Sequence, residues 1–140
     1  MPTTSLPAPA SPKRAPQRPT VLVVDDEPKL RVVLSRFLEM HGLDAVAAAS
    51  GEEAVDFVNR REPSAVLLDI RMPGMDGLVA LKAIRAGHPG LPVIMITGLG
   101  DEHLMDQALF LGASEYLTKP LSFPDLEQTL ASQLHLPVPA

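Results

Sequence analysis

Residues 64–77 read Ser-Ala-Val-Leu-Leu-Asp-Ile-Arg-Met-Pro-Gly-Met-Asp-Gly. The apolar run Ala65–Leu68 shows no alternation, which fits a strand buried on both faces, as in a parallel sheet. Asp69 follows at its end, a Met-Pro-Gly turn comes next, and Asp76-Gly77 opens a helix. A buried strand that ends in a carboxylate sets a charge at the carboxyl edge of the sheet, where open α/β sheets hold their ligands. Asp69 is therefore the residue to explain.

On either side of this stretch, strand-like and helix-like patterns alternate. Val21–Val24 is an apolar run closed by Asp25-Asp26. Leu30, Val33, Leu34, Phe37 and Leu38 then recur at helical spacing and stop at His41-Gly42, a C-terminal glycine signal. Asp44–Ala48 is a weak, alanine-rich second strand. Ser50 with Glu53 forms a capping box for a second helix carrying Ala54, Val55 and Val58. Beyond the opening stretch come a helix over Leu78–Ala86 and a strand over Val93–Ile96, closed by Thr97-Gly98. A helix with Leu104, Met105, Ala108 and Leu109 precedes a short strand over Ser114–Leu117, which runs into Thr118-Lys119-Pro120. Ser122-Phe123-Pro124 starts the last helix, which carries Leu126, Leu130 and Leu134. Five βα units predict a doubly wound parallel sheet with helices on both faces. The flavodoxin-like strand order 2-1-3-4-5 fits them and sets the first and third strands side by side.

Composition narrows the function classes. The chain has 140 residues, one domain's worth, with 46% hydrophobic and 21% charged residues, as in ordinary globular proteins. No apolar run approaches the roughly 20 residues of a membrane span, the N-terminus lacks the apolar core of a secretory signal, and no cysteine is present. These features fit the cytoplasm. Residues 1–19 hold six of the 15 prolines and three basic residues without an acid; they read as a disordered or polyproline-like arm. That leaves nine basic against 17 acidic residues in the remainder, a net charge of −8. An acidic globular part argues against direct nucleic-acid binding. The predicted organisation is an arm at 1–19, a domain at 20–135 and a short tail at 136–140.

In the predicted sheet the strand ends present Asp25 and Asp26, Asp69, Thr97 and Lys119. Taken singly, each has an ordinary role as a helix cap, a turn residue or a solvated charge. Together they are complementary. Three converging carboxylates repel one another, and a divalent cation removes that problem. Oxygen ligands with room for water suit Mg²⁺. Lys119 adds a compact positive charge and Thr97 a hydroxyl, and no serine or cysteine nucleophile sits among them. Such a set can surround a phosphoryl group, and a carboxylate such as Asp69 can accept one.

The motifs VLVVDDEP (21–28), LLDIRMPGMDG (67–77), VIMITG (93–98) and GASEYLTKP (112–120) jointly resemble the receiver domain of bacterial two-component response regulators. The resemblance runs from Thr20 to about Leu134. It implies that Asp69 is the phosphoacceptor, supplied by a histidine kinase, a phosphotransfer protein or a small phosphodonor. It implies that Asp26 ligates Mg²⁺ directly, that Asp25 acts mainly through water or hydrogen bonds, and that the Arg71 backbone carbonyl completes the set. Thr97 matches the switch hydroxyl, beside a small Gly98. Lys119 matches the lysine on the phosphoryl oxygens, with a cis bond to Pro120, and Tyr116 the aromatic that turns inward with Thr97. The fourth helix, fifth strand and fifth helix would form the surface read by a downstream protein, with no separate metabolic enzyme activity.

The last helix departs from one subfamily, whose dimers pair basic and acidic residues there. Phe123–Leu134 holds Asp125 and Glu127 and no lysine or arginine. Two organisations are expected: a stand-alone receiver, or a fragment of a longer regulator such as a DNA-binding one. The competing classes are a non-phosphorylated pseudo-receiver and a haloacid-dehalogenase-type phosphatase. The latter's nucleophile follows its first strand in a DxD arrangement, whereas this first strand ends in adjacent Asp25-Asp26.

Overall fold

The computed structural model describes residues 18–98 and 100–136. Most of the proline-rich arm (1–17) and of the tail (137–140) lies outside the described residues. Five strands, β1 (Thr20–Val24), β2 (Asp44–Ala48), β3 (Ala65–Asp69), β4 (Val93–Thr97) and β5 (Glu115–Thr118), alternate with five helices. These are α1 (Pro28–Met40), α2 (Gly51–Arg60), α3 (Gly77–Gly87), α4 (His103–Phe110) and α5 (Phe123–Leu134). The strands pair in parallel in the order β2-β1-β3-β4-β5. This is the flavodoxin-like arrangement that the alternation predicts.

Successive side chains of a strand point to opposite faces, so the unbroken apolar runs feed two cores. Val21 and Val23 of β1, Ala65 and Leu67 of β3, and Ile94 and Ile96 of β4 pack with Leu34, Leu38, Leu126 and Leu130 from α1 and α5. Leu22, Val24, Val66, Leu68, Val93 and Met95 pack on the other face with residues of α2, α3 and α4, among them Ala54, Val58, Leu81, Ile84 and Ala108. Of the three inner strands, β3 and β4 are buried at every position and β1 at all but its first, whereas β5 is half-buried at the edge.

Some details differ from the sequence reading. Val33 of α1 and Leu109 of α4 are 46% and 44% exposed, because each is displaced from the narrow stripe that meets the sheet. Leu134 is only half-buried, and β5 sits one residue later than its apolar run suggests. The Ser50 hydroxyl accepts the Glu53 N–H at 3.2 Å, but Glu53 accepts from the Ala49 N–H instead of that of Ser50. Ser50→Ala is expected to cost about 1 kcal/mol of stability in urea unfolding, the usual worth of a serine cap.

The fourth helix is thinly packed: Ala108 is its single buried residue, and Phe110 is 91% exposed. Its two ends are tied to the neighbouring unit by arginines. At the C-terminal end the Arg85 guanidinium of α3 donates to Gly112 O at 2.7 and 3.0 Å, while it also holds the His88, Pro89 and Leu91 carbonyls of the loop between α3 and β4 at 2.6–3.0 Å. Gly112 has φ +106°, and a Cβ there would lie 2.9 Å from Arg85 Cγ. At the N-terminal end, Arg71 reaches Asp101.

Candidate phosphoryl and metal site at the carboxyl edge of the sheet

Parallel register carries the strand ends to one place. Val24 of β1 lies opposite Leu68 of β3, Asp69 opposite Ile96 of β4, and Thr97 opposite Thr118 of β5. The chain extends the pairing slightly beyond the strands: the Ile70 N–H donates to Ile96 O and the Lys119 N–H to Thr97 O. Asp25, Asp69, Thr97 and Lys119 are thus fixed by sheet hydrogen bonds, a rigid base for a site.

Asp25 and Asp69 are 1% and 3% exposed, and Asp26 faces solvent beside them. One oxygen from each of the three carboxylates lies within 4.8 Å of the others. Lys119 Nζ stands 3.1 Å from Asp69 Oδ2 and 3.7 Å from Asp25 Oδ2. The lysine therefore bonds one carboxylate and only neighbours the other. The Glu27 N–H donates to Asp25 Oδ1 at 2.8 Å, and the Arg71 N–H to Asp69 Oδ1 at 3.4 Å. Asp25 Oδ2 is buried and has no hydrogen-bond partner among the described residues.

Leaving a buried carboxylate oxygen without a partner is costly. Burial, followed by the charge of Asp25, raises the Asp69 pKa from 3.8 to about 6, and the Lys119 charge and hydrogen bond only partly oppose this. For Lys119 burial is the largest single influence and acts downward. The charge and hydrogen bond of Asp69, with the charges of Asp25 and Glu27, outweigh it, so the net direction is upward. One ammonium thus faces more negative charge than it can balance. A divalent cation fits that deficit, and the all-oxygen donor set suits Mg²⁺.

Thr97 is fully buried. Its hydroxyl has only a long contact to Gly98 O, 3.5 Å, so it is a donor without a good acceptor. A Cβ on Gly98 would meet nothing closer than Asp101 Oδ2 at 3.8 Å. Tyr116 on β5 is half-buried against the core beneath α4. The Lys119–Pro120 bond is cis. Asp76 caps α3, its Oδ1 accepting the Val79 N–H at 3.0 Å.

A further aspartate, Asp101, lies beside these loops. Asp101 Oδ1 accepts from Arg71 Nε and Nη2 at 3.0 and 2.7 Å, tying the β3–α3 loop to the β4–α4 loop. The hydrogen bond and charge of Arg71 hold the Asp101 carboxyl below its ordinary value. Neither periodicity nor a motif marks this aspartate, because its partner lies 30 positions away.

Residues 21–131 match the model of the response regulator receiver domain. The DNA-binding transcriptional regulator NtrC of Klebsiella pneumoniae is 42% identical over 115 residues, covering 82% of this chain and 24% of that protein. The probable transcriptional regulator ycf27 of Porphyridium aerugineum is 38% identical over 118 residues, 84% of this chain and 49% of that protein. The chain therefore spans between a quarter and a half of these relatives. Among solved structures, the receiver domain of NtrX from Brucella abortus superposes with a TM-score of 0.78 at 34% identity, covering 82% of this chain and 98% of that one. A response regulator from Chloroflexus aurantiacus reaches 0.80 at 31% identity, covering 85% and 99%. The chain belongs to the response regulator receiver domain family of two-component signalling, a signalling domain and not a metabolic enzyme.

Proposed function

We propose that Asp69 accepts a phosphoryl group in a Mg²⁺-dependent reaction and that the modified domain signals through the surface of α4, β5 and α5. The observation that carries this reading is the convergence of Lys119 with Asp25, Asp26 and Asp69, together with the unpartnered Asp25 Oδ2. The donor is the phosphohistidine of a sensor histidine kinase or phosphotransfer protein, or a small acyl phosphate. A carboxylate oxygen of Asp69 forms a bond to phosphorus as the P–N bond of phosphohistidine breaks. The leaving imidazole nitrogen keeps the electron pair and takes a proton from water.

Asp25, Asp26, one Asp69 oxygen and the Arg71 backbone carbonyl would hold Mg²⁺, which when bound neutralises charge on the transferring oxygens. Lys119 Nζ, already on Asp69, is placed to follow the second carboxylate oxygen into the acyl phosphate. Thr97 supplies its under-used hydroxyl to a phosphoryl oxygen, and Gly98 leaves room for a main-chain N–H beside it. Those contacts exist only with the phosphoryl group present, so they shift the population of the β4–α4 loop. The half-buried Tyr116 follows it. The thin packing of α4 supports this assignment, since elements that move are drawn from the weakly packed part of a fold.

The partners are then a kinase or phosphotransfer protein and a downstream protein target in the cytoplasm, with no nucleic acid or membrane contact by this domain. Among the described residues no helix is long and apolar enough to cross a membrane. Incubation with acetyl phosphate and Mg²⁺, read by intact mass, is expected to add one phosphoryl group, and Asp69→Ala is expected to add none. No adduct on the unaltered protein, or one that survives Asp69→Ala, overturns the proposal.

A further inference from the structure

The Arg71 side chain takes no part in the metal and phosphoryl contacts proposed for its backbone carbonyl. Its backbone N–H donates to Asp69 Oδ1 at 3.4 Å, so the side chain springs from the margin of that carboxylate and has several staggered rotamers open to it. In the unmodified protein the guanidinium is held elsewhere. Both of its bonds go to a single oxygen, Asp101 Oδ1. That is a poorer arrangement than the parallel fork a guanidinium makes with two acceptor oxygens. The Arg71 side chain is 67% exposed, whereas that of Asp101 is 12% exposed. The arginine is thus the solvent-facing partner and the aspartate the enclosed one.

Asp101 is fixed to the loop that carries Thr97 and Gly98. Its N–H donates to Gly98 O at 3.2 Å, and its carbonyl accepts the Leu104 N–H at 2.8 Å. Its Oδ2 lies 3.8 Å from where a Cβ of Gly98 would stand. A phosphoryl group on Asp69 approaching Gly98 would therefore meet a like-charged carboxylate. It would also offer Arg71 a multiply charged acceptor with several oxygens.

We infer that Asp101 is a positioning residue that keeps the Arg71 guanidinium parked, and that this guanidinium passes from Asp101 to the phosphoryl group when Asp69 is modified. This rests on Asp69 being the phosphoacceptor. The exchange gives the two residues opposite roles. Asp101→Asn releases the guanidinium and removes a repelling charge, so it favours the phosphoryl group. Arg71→Gln keeps its backbone carbonyl but leaves Asp101 charged and unpaired, so it opposes the phosphoryl group. A pair that merely braced two loops would give changes of the same sign in both variants.

The test uses the full chain with Mg²⁺ and beryllofluoride, a non-covalent phosphoryl mimic, followed by the Arg71 Nε–H resonance in ¹⁵N spectra. That resonance is assigned by its loss in Arg71→Gln. Without the mimic it is expected to shift in Asp101→Asn; at saturation it is expected to move to a position that Asp101→Asn no longer changes. The initial rate of acetyl phosphate labelling is expected to rise about threefold in Asp101→Asn and fall about threefold in Arg71→Gln, the scale of an exposed ion pair. A resonance unmoved by saturating mimic, or rate changes of the same sign, overturns the exchange while leaving Asp69 as acceptor. Failure of the unaltered protein to take up phosphoryl from acetyl phosphate overturns the assignment of Asp69 itself, and the exchange with it.

Discussion

Gly77→Ala is expected to destabilise the protein by about 3 kcal/mol, roughly 10 °C in Tm, at the upper end of overpacking costs. A Cβ at this position would sit 2.2 Å from the Asp69 carbonyl oxygen, 2.7 Å from Ile70 Cα and 2.9 Å from the Asp69 carbonyl carbon. All three are main-chain atoms of the strand end that presents the candidate phosphoacceptor, so no flexible side chain can give way. The Gly77 N–H also donates to Ile70 O at 2.8 Å, which locks the start of α3 against that strand end. Relief of the clash requires backbone displacement at Asp69, so phosphoryl uptake is expected to fall with stability. Gly90→Ala is the control: nothing lies within 4 Å of its Cβ, and its Tm should stay within a few degrees of the unaltered protein. Urea or thermal unfolding of both variants decides the matter, and equal Tm values would show that the approach at Gly77 is not rigid.

Asp69→Asn is expected to make the metal-free protein more stable at pH 7.5. Burial and the nearby Asp25 raise the Asp69 pKa from 3.8 to about 6 in the folded state. Between about pH 4 and pH 6 the folded protein therefore binds more protons at this site than the unfolded chain does. Stability falls as the pH rises through that window, and the deficit persists above it. The rise from 3.8 to about 6 is worth about 3 kcal/mol. Asparagine keeps the shape without the charge, so urea unfolding in EDTA should show a gain of about 2–3 kcal/mol at pH 7.5 that shrinks toward zero by pH 4. Mg²⁺ should narrow the gap at pH 7.5 by favouring the ionised carboxylate of the unaltered protein. An equal difference at both pH values would show that ionised Asp69 carries no such cost.

Both predictions stand on features with different visibility in the sequence. The strand runs, the glycine stops and the Ser50 and Asp76 caps are local signals, and the five βα units follow from them. The strand ends Asp25, Asp69, Thr97 and Lys119 were legible because parallel topology gathers carboxyl ends wherever each strand lies in the chain. Amphipathic spacing was less informative at the surface: Val33 and Leu109 have helical periodicity, yet the stripe that reaches the sheet is narrower than the apolar set. The Arg71–Asp101 pair was not legible, since it joins two loops whose approach depends on the finished fold. Arg85 was invisible for another reason. Its partners are carbonyl groups, which every residue possesses.

The Arg85 anchor beside α4 recognises no side chain at residues 88, 89, 91 or 112, and asks only that 112 remain glycine. Mutations can therefore rewrite the outer face of α4 without loosening its footing. The helix is mounted like an interchangeable part, and a lineage can try new recognition surfaces on it while the fitting beneath stays the same.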